Sequence, residues 1–336
     1  MDFRKTNMKP FVSVIIPCRN EEKFIEKCID SLLQQTYPRE RMEIFVVDGM
    51  SEDKTRELVK GYIERHAPLR LLDNPKKYNP FALNIGIKNS KGDVVMILDA
   101  HNTCERDHVE KCVDFLYKHN ADAVGGASRN LPQKETFFSE AIGFCLSDFF
   151  GAGNAFYRIG TEKPREADAF FGKCYKREVF EKIGLFNEKL IRSQDIDLNK
   201  RLKKAGGKLI LIPDAVISYY YRSDLSSFLR HNFLDGTWLT YPLKFKIKVF
   251  SLRHLFPLFL AAGLVLATFL SFLFWWGKFF LALLIGAYAV SIVFFSAKIA
   301  FKRGFKYVFL MPVVFAIRHL AYGFGSLWGL IRIFVK

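Results

Sequence analysis

The stretch VVMILDAH, residues 94–101, runs five apolar residues into an acid and, two positions later, an imidazole. A carboxylate at the end of a buried strand with a histidine beside it is a donor set for a divalent ion, and an ion so held would meet phosphate. Metal-bound phosphates are more often met by two carboxylates at this spacing, so the imidazole is the feature to explain. Other polar residues stand where apolar runs stop. VSVII, residues 12–16, leads through Pro17 to Arg19 and Asn20, and EIFVVD, residues 43–48, ends in Asp48.

Those residues need elements to hold them. The runs at 12–16, 43–48, 69–72 and 93–98 have the length and composition of buried strands. Between them, Phe24, Ile25, Cys28, Ile29, Leu32 and Leu33 give a helix one apolar face, with Asn20 as its expected cap. Leu58, Val59, Tyr62 and Ile63 do the same for a helix capped by Ser51, and a third helix over 80–89 opens on Pro80. Strands alternating with helices predict an α/β fold, a Rossmann-like, mostly parallel sheet with helices on both faces. Ligands bind such sheets beyond the carboxyl ends of the strands, where Arg19, Asn20, Asp48 and Asp99 all fall. A further strand is expected over 121–128. The aromatic, glycine-rich segment 134–167 shows no period and reads as a functional loop. Helices over 176–183 and 195–205 follow, the second stopped by Gly206-Gly207 ahead of the strand KLILIP.

Charge separates the chain into two parts. Of 336 residues half are hydrophobic, 35 are Phe, and the net charge is +16. Residues 244–336 carry 12 Lys and Arg and no Asp or Glu, leaving about +4 for everything before them. These basic residues flank apolar runs, which points to membrane lipids as partner and not to nucleic acid. Residues 255–276 and 279–297 are uncharged, and each is long enough at about 1.5 Å per residue to cross a core of roughly 30 Å. They are expected to turn at Gly277-Lys278. Basic flanks on both sides put the hairpin in the cell membrane, multi-pass, with the N-terminal domain in the cytoplasm. The third apolar stretch, 307–334, is interrupted by Arg318-His319 and either spans or lies at the interface. The expected division is 1–225 as a cytoplasmic domain, 226–253 as an interfacial amphipathic segment, and 254–336 as a membrane domain with two or three transmembrane helices. The six cysteines form no CxxC pair and read as buried small residues in a reducing compartment. MDFRKTNMKP lacks the apolar region of a signal peptide.

The motifs VSVIIPCRNEE, VVDGMSEDKT, LNIGIKNSKGDVVMILDAH and RSQDIDLNKRLKKAGG occur in that order. Over roughly residues 11–245 the chain resembles the family 2 glycosyltransferases of GT-A fold, in particular the membrane-bound branch of succinoglycan-biosynthesis type. That resemblance implies a sugar-nucleotide site. It assigns donor binding to Pro17, Arg19, Asn20, Glu21, Asp48, Gly49, Ser51, Asn84, Asp99 and Ala100. Asp48 would recognise the base, although Val47-Asp48-Gly49-Met50-Ser51 stands where the family writes Asp-Asp-Gly-Ser. Asp99-Ala100-His101 occupies the family's Asp-x-Asp. Asp99 and His101 would hold a divalent metal, Mn²⁺ or Mg²⁺, with imidazole favouring Mn²⁺; otherwise His101 would bond a phosphate or cap the turn. Asp195 would be the general base of an inverting transfer, with Asp197 as the other candidate. Gln194, Asp197, Arg222, Arg230 and Trp238 are acceptor candidates. Lys173 would face solvent or touch a phosphate. Residues 230–238 keep only Gly236 and Trp238 of the family's Gln-x-x-x-Tyr-Gly-x-Trp.

The implied activity is transfer from a nucleotide-sugar, a UDP-sugar above all, to a lipid-linked saccharide acceptor in glycan or exopolysaccharide synthesis. A polyprenyl-phosphate sugar synthase would carry the same motifs. A processive synthase would need a Gln-x-x-Arg-Trp motif, which is absent. A non-catalytic sugar-nucleotide-binding membrane protein fits less well with Asp99 and Asp195 both present.

Overall fold

The computed structural model describes residues 8–65 and 68–335; residues 1–7, 66–67 and 336 lie outside them. Two compact units are present, Met1–Arg129 with Phe156–Tyr220, and Asn130–Ala155 with Tyr221–Lys336.

The first unit opens with β1 (Val12–Cys18), α1 (Ile25–Leu33), β2 (Met42–Asp48), α2 (Thr55–Ile63), β3 (Leu69–Asp73), α3 (Asn79–Asn89) and β4 (Val94–Ile97). Then come β5 (Asn102–Cys104), α4 (His108–Lys118) and β6 (Ala123–Pro132). Helices α5 (Phe137–Leu146) and α6 (Phe149–Ala152) belong to the second unit. The first resumes with α7 (Phe156–Ile159), β7 (Arg165–Glu166), β8 (Phe171–Lys176), α8 (Arg177–Ile183), α9 (Gln194–Lys204) and β9 (Leu209–Tyr221). The strands form one sheet in the order β3-β2-β1-β4-β8-β6-β9-β5, with β7 on β9. It is mixed. The pairs β3–β2, β2–β1 and β1–β4 are parallel, whereas β4–β8, β8–β6, β9–β5 and β9–β7 are antiparallel.

Strands β1, β2 and β4 are buried along their whole length, as strands covered on both faces must be. Successive side chains alternate between two cores. Val14, Ile16, Ile44, Val46, Val94 and Met96 face one layer that includes Ile29 and Val113 from α1 and α4. Ile15, Phe45, Val47, Val95 and Ile97 face the other, with Leu83, Val179 and Leu198 from α3, α8 and α9.

Neither expected cap holds. Helix α1 begins at Ile25 and α2 at Thr55, after Phe24 and Lys54. Asn20 and Ser51 instead bond between the two turns. Nor is 134–167 one loop: it holds α5, α6 and α7. The reason is composition, because a helix such as α5 (FFSEAIGFCL) is apolar nearly all round and shows no periodic stripe.

In the second unit, α10 (Leu225–Thr240) is followed by α11 (Leu255–Leu273), α12 (Trp275–Arg303) and α13 (Leu310–Phe334). The last three are long and apolar enough to cross a membrane. Helices α11 and α12 meet at Phe274, which is extended (φ −139°, ψ 142°), so the turn precedes Gly277-Lys278, which lies within α12. Helix α13 runs unbroken through Arg318-His319. The Arg318 Nε donates to Gly151 O at 3.1 Å and its Nη1 to Asn232 Oδ1, while His319 Nε2 lies 2.8 Å from Phe150 O and Nδ1 3.1 Å from the Tyr288 hydroxyl. Polar groups in an apolar helix persist where neighbours satisfy them. Helix α10 packs on α13 through a seam of small residues. A Cβ on Gly236 would fall 2.0 Å from Tyr322 O, and one on Gly325 2.1 Å from Phe233 O; Thr240 Oγ1 donates to Ser326 O at 2.6 Å. Such seams let backbones approach in lipid-facing bundles.

Candidate functional site

The parallel register aligns the polar strand ends in the first unit. Cys18 pairs with Asp48 and Asp48 with Asp73, while Ile15 sits beside Ile97, so Asp99 comes level with Pro17. The turns after β1 and β2 are laced together. Asn20 N donates to Ser51 Oγ at 2.8 Å, Glu52 N to Asn20 Oδ1 at 2.9 Å, and Glu21 N to Thr55 Oγ1 at 2.8 Å. Asn20 adopts φ +55°, which asparagine tolerates better than most residues. Gly49 fits closely: a Cβ there would lie 3.1–3.3 Å from Lys77 O, Arg19 Cβ and Cys18 O. Arg19 is exposed and 3.6 Å from Glu52. Pro17 is buried in β1. Asp48 is wholly buried. Its carboxylate takes bonds from Ser51 N (3.0 Å), Ser51 Oγ and Arg56 Nη1 (2.7 Å), and Arg56 also reaches Asp73 at 2.8 Å.

At the next strand end Ala100 is buried, while Asp99 and His101 are half-buried. The Asp99 carboxylate accepts one long bond, from Asn102 Nδ2 at 3.4 Å, and Asn102 Oδ1 is buried with no partner among the described residues. His101 Nδ1 lies 3.0 Å from Glu21 Oε1, and its ring is 5.7 Å from that of Tyr219. Among the described residues no group of three His, Cys, Asp or Glu side chains is placed to enclose a metal ion. A carboxylate with spare acceptor capacity, an imidazole oriented by a second carboxylate and an unused amide oxygen nevertheless fit a divalent cation whose remaining ligands come from a diphosphate.

Asp195, in the first turn of α9, is the residue the sequence leaves most open, and Lys173 settles its charge. Lys173 lies opposite Ile97 in the β4–β8 pairing, at the strand end that leads to Asp99. Its Nζ donates to Asp195 Oδ2 at 2.9 Å, and Ile196 N donates to Oδ1 at 2.9 Å. Burial pushes the Asp195 carboxyl up, but the Lys173 charge and these bonds outweigh it and hold it below the ordinary carboxylate range. Burial would lower Lys173; Asp195 first and Asp99 second hold it protonated and raise it instead. Lys173 is therefore paired with Asp195 and within the field of Asp99, and is not a solvent-facing lysine. Its sequence signal was a lysine inside FGKCYK, a strand otherwise fit for burial.

Several other expected residues are engaged elsewhere. Both Asn84 amide hydrogens go to Phe186 O and Glu188 Oε1 at 2.9 Å, and its oxygen accepts from Phe186 N at 3.0 Å, tying α3 to residues 186–188. Asp197 is buried against Arg201, 3.0 Å away, whose guanidinium also holds Leu185 O. Gln194, half-buried, opens α9 after Ser193 (φ +61°). Arg222, Arg230 and Trp238 belong to the second unit; both arginines are exposed, and Trp238 packs edge-on to Tyr241 at 5.4 Å.

A nine-stranded mixed sheet with polar strand ends, followed by apolar helices, is the GT-A class of transferase. Comparison with known proteins agrees. The model of glycosyl transferase family 2 matches residues 13–184, and the chain belongs to that family and is a glycosyltransferase. It is 27% identical over 332 residues, 96% of this chain and 98% of the other, to a dolichyl N-acetyl-alpha-D-glucosaminyl phosphate 3-beta-D-2,3-diacetamido-2,3-dideoxy-beta-D-glucuronosyltransferase of Methanococcus voltae. It is 25% identical over 329 residues, 93% and 92% of the two chains, to the succinoglycan biosynthesis protein ExoA of Rhizobium meliloti. A mannosyltransferase of Pyrobaculum calidifontis, solved in complex with GDP-Man and Mn²⁺, superposes with a TM-score of 0.64 at 20% identity, covering 96% of this chain and 88% of that one.

Proposed function

We propose that this glycosyltransferase is a membrane-anchored, inverting enzyme. It moves a sugar from a nucleoside-diphosphate donor, a UDP-sugar, to a lipid-linked saccharide at the cytoplasmic face of the cell membrane. The observation that carries this is the Lys173–Asp195 pair: a carboxylate kept ionised at a helix start by a lysine that also feels Asp99. Asp195 takes the proton of the acceptor hydroxyl as that oxygen attacks the anomeric carbon, and the bond to the nucleoside diphosphate breaks with its electrons on the leaving phosphate. The laced turns at Pro17–Glu21 and Asp48–Ser51 cradle base and ribose, Arg19 at their exposed edge. Asp48 serves through the turn it braces. Ala100 shapes the floor, and Asn84 serves at one remove by tying α3 to residues 186–188.

Asp99 and His101 would hold the divalent ion, Mn²⁺ suiting the imidazole, and the ion when bound stabilises negative charge on the departing diphosphate. Glu21, by taking the Nδ1 hydrogen of His101, selects the tautomer whose Nε2 carries the lone pair. Gln194, Asp197, Arg222, Arg230 and Trp238 remain acceptor-side candidates. We divide the chain at 225 and 253, with α5 and α6 joined to the membrane part 254–336. The lipid-linked saccharide acceptor is supported by the acceptor named for the full-length Methanococcus relative. Asp195→Asn in full-length protein should abolish transfer and leave nucleotide-sugar binding intact; a fully active variant ends the assignment. Supplying membranes with labelled donor and either polyprenyl phosphate or a lipid-linked saccharide separates the saccharide transferase from a polyprenyl-phosphate sugar synthase.

A further inference from the structure

Arg318 is a cation inside an apolar helix, and both groups it donates to are neutral. Its Nε–H goes to the Gly151 carbonyl and one Nη1–H to the Asn232 amide oxygen. Among the described residues no carboxylate lies within ion-pair distance of it. A guanidinium has five N–H donors in one plane, so three are uncommitted by those bonds. Beside it the Tyr322 ring lies 5.5 Å from the guanidinium carbon, and the Cβ of Arg253 lies 3.2 Å from where a Cβ on Gly153 would stand. Gly151 and Gly153 thus bring two arginines to one short segment of the second unit. Gly153 takes φ +62°, and a Cβ on Gly151 would fall 2.2 Å from Cys145 O, so neither position accepts a side chain easily.

An intramembrane charge without a counter-ion is costly unless a ligand supplies one. A planar guanidinium matches an oxyanion through two parallel N–H bonds to two oxygens, and in a lipid-linked acceptor the phosphate is the group that offers them. The ligand must also be lipid-borne, since the arginine lies nine residues into α13 among helices whose exposed faces are apolar.

We propose that Arg318 binds the phosphate of an isoprenoid-borne acceptor within the membrane unit, held in place by Gly151 and Asn232. This rests on the acceptor being lipid-linked. It adds a specificity determinant for the lipid carrier, separate from the residues that recognise the saccharide.

The test uses full-length protein in phosphatidylcholine nanodiscs, titrated with a polyprenyl phosphate and, in parallel, with the matching polyprenol; native mass spectrometry reads occupancy. Wild type should prefer the phosphate at least tenfold. Arg318→Gln should lose that preference, and Arg318→Lys should regain part of it. A purely structural arginine would lower thermal stability in both variants without changing the phosphate-to-prenol ratio. Equal binding of phosphate and prenol by wild type overturns the proposal without any variant. If nanodiscs containing phosphatidylglycerol abolish polyprenyl phosphate binding by occupying the site, it is a general headgroup site and the carrier assignment falls. Donor hydrolysis by wild type, measured in the same nanodiscs, reports on the transferase chemistry independently.

Discussion

Replacing Lys173 by Met removes the charge that keeps Asp195 ionised. Wild-type Lys173 donates at 2.9 Å, and the two side chains retain 16% and 27% of their exposure. After substitution Asp195 keeps backbone N–H bonds alone, that from Ile196 N among them, in a half-buried setting. A charge-assisted hydrogen bond is worth about 1.5–3 kcal/mol, and partial solvent access trims it, so about 2 kcal/mol of stability at pH 7 should be lost. The sign with pH follows from the direction of the shift. A depressed carboxyl contributes stability above its unfolded value and loses it as pH falls through the folded value. The gap between wild type and Lys173→Met should therefore be full at neutral pH and close below the ordinary carboxylate range. The same loss raises the Asp195 carboxyl, so the acidic limb of the kcat profile should move to higher pH. Thermal unfolding and initial rates across a pH series measure both. Unchanged stability together with an unmoved acidic limb would refute the idea that this ion pair sets the charge of Asp195.

His101→Asp should keep transfer activity and shift its ion preference from Mn²⁺ towards Mg²⁺ by several-fold; inactivity with every divalent ion would remove His101 from the metal site. Asn84→Ala should cost about 1–3 kcal/mol by stranding the backbone groups of Phe186, with donor affinity unchanged by calorimetry. Weakened donor binding in an equally stable protein would make Asn84 a direct contact. Gly236→Ala should destabilise the second unit by about 1–3 kcal/mol through overpacking against Tyr322 O, whereas Gly286→Ala, which meets nothing within 4 Å, should be neutral or slightly stabilising. Equal melting temperatures for the two would show that α10 and α13 do not depend on that close approach.

Periodicity made the first half of the sheet legible. Buried parallel strands are short apolar runs bounded by polar turns, and β1, β2 and β4 have that form with polar residues at the carboxyl edge. The antiparallel half was less visible. KLILIP marks only the start of β9, which runs on through SYYY to Tyr221, and its pairing with β5 and β7 is long-range and leaves no local pattern. Caps misled for a physical reason: Asn20 and Ser51 are good capping residues whose side chains bond each other's turn before any helix starts. Asp99 and His101 stood out by type and spacing. Lys173 did not, because what makes it matter is a partner 22 residues away. Arg318-His319 looked like a break in a membrane helix, since the neutral partners that satisfy them come from α6, α10 and α12, distant in sequence.

The single extended residue between α11 and α12 has a topological corollary. A hairpin that reverses at Phe274 leaves one residue of backbone outside its two helices. What gathers at its tip is aromatic: Phe274 stacked on Trp276 at 4.9 Å, beside an exposed Trp275. Indole rings settle at the boundary between acyl chains and water. If the two helices cross a bilayer, such a tip would float at fixed depth, and impermeant labels or proteases added from its side would find little there to modify or cut.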